Sequence, residues 1–155
     1  MKTCPYCGSP VAKENEANYY ECDFCMINIK DAEEDGSRKT VPFRETADEE
    51  DLYKTTPELM TFHTYELLCL LKLIRQKRSQ KYNELYKKAA TGNTDSQESR
   101  DDYQFLTKKM NIVENLLLQR LGYIPDSLYD SFLKKYLDKI KNGKKTNEKM
   151  KIYSK

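Results

Sequence analysis

The chain has 155 residues, enough for one ordinary domain or one modest domain with a small appendage. A hydrophobic content of 38%, a charged content of 34% and a mean hydropathy of −0.88 lead us to expect a soluble, highly charged protein. No apolar run approaches the roughly 20 residues that cross a bilayer, and the net charge of +2 is unevenly placed, an asymmetry that points to an anionic partner for the basic part or to the acidic part folding over it.

Four cysteines open the sequence in two pairs, Cys4-x-x-Cys7 and Cys22-x-x-Cys25, with fourteen residues between the pairs. Thiolates two residues apart can grip one tetrahedral ion, because the turn between them aims both sulfurs inward. Two such pairs complete a closed Zn²⁺ site, so Cys4, Cys7, Cys22 and Cys25 are the predicted metal ligands and Zn²⁺ the predicted cofactor. Cys4-Pro5-Tyr6-Cys7-Gly8 resembles the rubredoxin-type zinc knuckle of zinc-ribbon proteins. The resemblance covers about the first thirty residues. It implies a metal-tied β-hairpin scaffold, whose members contact nucleic acid, RNA polymerase, other proteins or nothing at all. The second pair, Cys22-Asp23-Phe24-Cys25-Met26, departs from the pattern because no glycine follows it. Disulfides are the rival reading of the pairs, but they leave Cys69 over, and no βαβ pattern suggests a redox couple. Iron in an electron carrier is a chemical alternative, since the same sulfurs suit it. With no export pattern in Met1-Lys2-Thr3-Cys4, metal-spaced cysteines point to a reducing, cytoplasmic setting.

Residues 1–30 therefore read as a zinc ribbon, with Ile27 and Ile29 on one face of a half-buried strand. Residues 31–56 read as an acidic linker, holding nine acidic and four basic residues. Residues 57–155 hold twenty basic and twelve acidic residues, a basic body. Thr55-Thr56-Pro57-Glu58 is a helix start: a capping threonine, proline in the first turn, and acid at the positive end of the dipole. One helix is expected from there to about Ala90, apolar on nearly all faces between Tyr65 and Ile74 and so covered from more than one side. Gly92-Asn93-Thr94-Asp95-Ser96 marks a loop and the next cap. A second helix is predicted from about Gln97 to Leu121, its stripe formed by Tyr103, Leu106, Met110, Val113, Leu117 and Leu121. Gly122 stops it, and a third helix is predicted from Asp126–Ser127 to about Asn142. Residues 143–155 read as a frayed basic tail. The predicted fold class is mostly α: a small N-terminal zinc ribbon, a β-hairpin, and over residues 57–142 a helical bundle of about three helices.

Lys72, Arg75, Arg78 and Lys81 recur at three-residue steps and form the densest basic cluster, a stripe that can track a phosphate backbone with Tyr82 and Tyr86 nearby for stacking. The competing reading is a solvated face balanced by the acidic linker. His63, the single histidine, and Cys69 within the leucine-rich turn read as structural residues. There is no Walker loop, GxGxxG, GxSxG or HExxH, and no catalytic residue is assigned. The reading is a non-enzymatic, zinc-binding regulatory or adaptor protein acting on nucleic acid or on proteins of the transcription or replication machinery. No membrane or small-molecule substrate is expected. The alternative is a protein-binding inhibitor or assembly factor docking through its apolar helix, as a homodimer for instance; a thiolate redox sensor is a third.

Overall fold

Short strands close around the cysteines in the computed structural model, which describes residues 1–14, 18–92 and 97–152. Strands β2 (Ala12–Lys13), β3 (Tyr20–Cys22) and β4 (Ile27–Ile29) form an antiparallel sheet in that order, Tyr20 opposite Ile29 and Cys22 opposite Ile27. Strand β1 (Lys2–Thr3) pairs antiparallel with β5 (Glu33–Glu34). Ile29 is buried with Cys4 and Cys22, and Val11, Tyr20, Cys7 and Cys25 pack against them. Of the two isoleucines expected on one half-buried face of β4, Ile29 is buried, whereas Ile27 and Asn28 stay exposed.

The chain divides into two units: residues 1–41 with 139–155, and residues 42–138. The first extends well past the expected ribbon. Its segment after Ile29 includes β5 and a turn in which Asp35 and Gly36 both have positive φ, 48° and 75°. The buried Thr3 hydroxyl accepts from Gly36 N at 3.0 Å and donates to the Glu33 carbonyl at 3.3 Å. Expected to fray, the basic tail instead docks as far as Ile152: Met150 N donates to the Gly36 carbonyl at 2.7 Å, and Met150 and Ile152 lie beside Gly8. A Cβ on Gly36 would stand 2.6 Å from the Met150 carbonyl oxygen, closer than any non-bonded carbon tolerates. Glycine at position 36 thus meets both a left-handed backbone and a close approach. The remaining residues, 153–155, lie outside the described residues.

In the second unit the acidic segment is organised rather than open. A 3₁₀ turn over Glu49–Tyr53 buries Asp51 and Leu52. Arg44 holds it, donating to Asp48 (3.2 Å), Asp51 (3.1 Å) and Glu66 (3.0 Å) while lying over the Phe62 ring. Asp51, and after it Glu66, raise the Arg44 pKa further. The expected long helix is two. Thr55 caps a short helix, α1 (Thr56–Met60), through a capping box with Glu58. His63 then caps α2 (Thr64–Ala90): its Nδ1 accepts from Tyr65 N at 3.0 Å, and Glu66 reaches back to His63 N at 3.1 Å. Arg120 fixes the break, donating to the Met60 carbonyl at 2.9 Å and the Phe62 carbonyl at 2.6 Å, groups that a continuous helix would have used internally.

Helix α2 buries Leu67, Leu68, Leu70, Leu71 and Ile74 and packs along α3 (Gln97–Leu121), whose Leu106, Val113, Leu116 and Leu117 face inward. The expected cap at Asn93–Ser96 lies outside the described residues. Helix α4 runs Asp130–Asn142, four residues later than expected. The Asp126 carbonyl is taken by Arg75 at 3.2 Å, and Leu128 is buried from non-helical backbone, so the chain stays open until Tyr129. The fold is mostly α, with four α-helices among the described residues and small antiparallel strands at the N-terminus.

Gly36→Ala is expected to destabilise the first unit by about 1–3 kcal/mol, because both the clash and the left-handed backbone oppose it. Hydrogen exchange at the Met150 amide reads this directly; unchanged protection there would mean the contact is dispensable. His63 yields a second test. Burial depresses its pKa below 6.5, with Arg120 acting in the same direction and Glu66 opposing. The unfolded chain then binds the extra proton first, so this contribution is complete above pH 6.5 and is lost as pH falls through the depressed folded value. Protonation also removes the Nδ1 acceptor. Denaturation of wild type and His63→Asn at pH 7.5 and 5.0 should show a smaller acid loss in the variant, since asparagine caps without titrating; equal losses would contradict the capping account.

Candidate metal centre

Two matching turns present the sulfurs. In the first, Gly8 N donates to the Cys4 carbonyl at 2.9 Å; in the second, Met26 N donates to the Cys22 carbonyl at 2.8 Å. Both turns close on a residue with positive φ, Gly8 at 79° and Met26 at 54°. The absent glycine therefore did not change the turn: Met26 adopts the left-handed conformation at a steric cost, with its side chain 87% exposed.

The four Sγ atoms all lie within 4.8 Å of one another, with Cys4–Cys25 at 3.9 Å and Cys7–Cys22 at 3.6 Å. Sulfurs at about 2.3 Å from one tetrahedral zinc stand about 3.8 Å apart, so the cluster has the dimensions of a four-thiolate shell. It can hold a metal ion. Cys4 and Cys22 are buried, Cys7 and Cys25 half-buried, and Ser9 N approaches Cys7 Sγ at 3.5 Å. Hydrogen bonding from the Ser9 side chain, joined by Ser9 N, draws the Cys7 thiol down to about 6, whereas desolvation and then the neighbouring thiols push Cys25 up to about 12. Four thiols this crowded resist ionising together without a cation between them, which is the service a divalent ion supplies. Cys69 lies apart from this group in the second unit; its half-buried thiol is raised by burial and rests 3.8 Å from the Glu45 carbonyl.

The basic stripe is engaged within the second unit. Lys72 pairs with Asp130; Arg75 donates to Glu114 at 3.1 Å and to the Asp126 carbonyl. Arg78 donates to the Thr107 hydroxyl at 2.9 Å and lies 4.8 Å from the centre of the Tyr103 ring. Lys81 pairs with Glu84 at 3.4 Å and Asp102 at 3.8 Å. Lys77, next to the stripe, meets Glu49 of the acidic segment at 2.6 Å. All four stripe cations are half-buried, and the signal for this lay in α3, whose Thr107 and Glu114 stand one helical repeat apart on the facing side. Tyr82 and Tyr86 remain exposed. No described helix is long and apolar enough to cross a membrane. Comparison with protein-family models, curated proteins and solved structures gives no match.

Met26→Gly is expected to tighten Zn²⁺ binding roughly fivefold, since relieving a left-handed residue returns about 1 kcal/mol. Competition against a chromophoric chelator measures it. Weaker binding would show that the Met26 side chain, exposed as it is, supports the turn.

Proposed function

We propose that this chain is a non-catalytic, zinc-stapled adaptor that acts on nucleic acid or on the proteins that work on it. Zinc is favoured over iron because four thiolates complete its preferred shell and the first turn resembles a zinc-ribbon knuckle. A shell of four protein thiolates has no position left for a substrate, which suits a structural role. Such thiolates must stay reduced to hold the ion, which fits a cytoplasmic setting.

The observation that carries the nucleic-acid reading is where net positive charge resides. Residues 42–138 hold fifteen basic and sixteen acidic residues, so the helical unit is nearly neutral and its densest cations are paired internally. Residues 1–41 with 139–155 hold twelve basic and nine acidic, and the last seventeen residues alone hold seven lysines against Glu148. The charge available to a polyanion accompanies the metal site rather than α2. A second reading, an adaptor for proteins alone, draws on Phe24 and Met26, 79% and 87% exposed at the tip of the second turn. The apolar run of α2 does not support it, because Leu67, Leu68, Leu70, Leu71 and Ile74 are already covered.

Salt-titrated binding to single- and double-stranded DNA and RNA separates these readings. Phosphate contacts make log K fall linearly with log salt, while an apolar protein interface responds little. Salt-sensitive binding near physiological ionic strength is expected; its absence for every nucleic acid overturns the first reading. Replacing Lys72, Arg75 and Arg78 by glutamine should leave the salt slope unchanged and lower stability by roughly 1–3 kcal/mol, the range for partly exposed to buried ion pairs. A flatter slope in that variant would return the stripe to the interface.

A further inference from the structure

We infer that a cleft beside the first cysteine turn is the seat of a single strand of nucleic acid, with Tyr6 stacking on a base and Arg38, Lys39 and Lys145 meeting the phosphates. The inference rests on the nucleic-acid reading above and locates it. The cleft has a volume of about 330 Å³, near the lower end of ligand pockets and of the order of one nucleotide. Its edges come from three stretches of the first unit: Tyr6 from the cysteine turn, Arg38 and Lys39 after β5, and Lys145 with Thr146 from the docked C-terminal segment. Pro5 and Met150 complete the lining, and no acidic side chain lines it among the described residues.

The three cations are uncompensated. Arg38 and Lys145 make no ion pair among the described residues, and the Lys39 ammonium is held by an aromatic instead of a carboxylate. It donates to the Tyr6 hydroxyl at 2.8 Å and lies 4.5 Å from the ring centre. An ammonium so placed can exchange a neutral partner for a phosphate, whose opposite charge adds a Coulombic attraction that the phenol lacks. Tyr6 is 58% exposed although it stands between two metal-site cysteines, so the turn fixes its base while much of the ring stays open to solvent beside Lys39. A rigid aromatic beside unpaired cations is the arrangement that captures unpaired bases, which stack for roughly 1–3 kcal/mol each. A second hollow of about 460 Å³ continues from Tyr6 and Lys39 past Lys30 toward Asn28. Asp31 and Glu33 also line this hollow, and the Glu33 carboxylate accepts from Thr40 N at 3.4 Å. The cleft whose lining holds cations and no carboxylate is therefore the better seat for a phosphate. A duplex suits neither hollow, because reading its grooves takes an element that projects outward.

The test uses the full zinc-loaded chain with labelled dT and rU dodecamers, the two arms separating DNA from RNA, and a glutamate-rich peptide as the competing class. The triple variant Arg38→Gln, Lys39→Gln, Lys145→Gln is expected to bind at least tenfold more weakly, with a salt slope flatter by about two, since each single-strand phosphate contributes about 0.7. Tyr6→Leu should lose roughly 5- to 100-fold with the slope unchanged. Both variants should retain one equivalent of zinc and wild-type circular dichroism. The matched control Lys87→Gln, Lys88→Gln, Lys108→Gln should stay within twofold of wild type. Wild-type binding that survives the triple variant within twofold overturns the cleft and leaves the adaptor reading standing. Loss in the control equal to that in the triple variant also overturns it, as a general charge effect. Full binding by Tyr6→Leu overturns the stacked strand. Peptide binding without any oligonucleotide binding overturns both the occupant and the nucleic-acid reading.

Discussion

Four sulfurs within 4.8 Å of one another set the terms for the whole first unit. Beyond the cysteines, its buried apolar side chains among the described residues come to Ile29 and Pro5, far short of what a segment this small needs to offset its chain entropy. A cation shared by the thiolates, Zn²⁺ in the proposed form, would tie residues 4 and 25 together and supply the missing free energy. The rest of the unit is arranged around that knot. Thr3 holds the turn at Gly36, Gly36 receives Met150, and Met150 with Ile152 covers Gly8 behind the first pair of ligands. The lysine-rich tail, as far as Ile152, joins a folded unit through this chain of small contacts.

The second unit obeys a different constraint. Helix α2 is apolar on so many faces that neighbours must cover it on several sides, and its cations then sit at the rim of a core. Long basic side chains in that position lay their stems on apolar surface and carry their charge to the nearest acceptor. Arg75 finds Glu114 and Arg78 finds Thr107 on α3, while Lys72 finds Asp130 at the start of α4. The acidic segment is drawn in by the same logic, through Arg44 and Lys77. Charge that looks like a polyanion-binding stripe in one dimension is the mortar between helices in three.

What the sequence made legible follows from the range of each signal. Cysteine spacing, the Thr55 capping box, the stripe on α3 and the stop at Gly122 are local patterns, and each corresponds to an observed element or boundary. The misses are long-range. Nothing near residue 63 announces a helix break, because the groups that stabilise it are His63 Nδ1, a poor textual signal for a cap, and Arg120, 57 residues away. Nothing in a lysine-rich tail announces docking, because the receiving surface is a glycine turn at position 36. The acidic linker misled through composition: four consecutive acids suggest an unfolded stretch, yet one arginine at position 44 suffices to fold them. Met26 is the reverse case, a residue type that argued against a turn which the backbone formed regardless.

Placing the free cations in the metal-tied unit has a thermodynamic consequence. The cleft at Tyr6 is assembled from residues 5–6, 38–39 and 145–150, which share no local sequence and meet because the first unit is folded. A ligand that binds this assembled surface and not the unfolded chain must stabilise the fold, and with it the metal site; an ion that folds the unit must strengthen the ligand by the same factor. Neither group has to touch the other for this coupling to exist. By contrast, a site on the α2 stripe would be independent of the metal, since residues 42–138 carry their own core. Under the proposed reading the zinc is then more than a staple, because occupancy of four thiolates decides whether the cationic cleft exists.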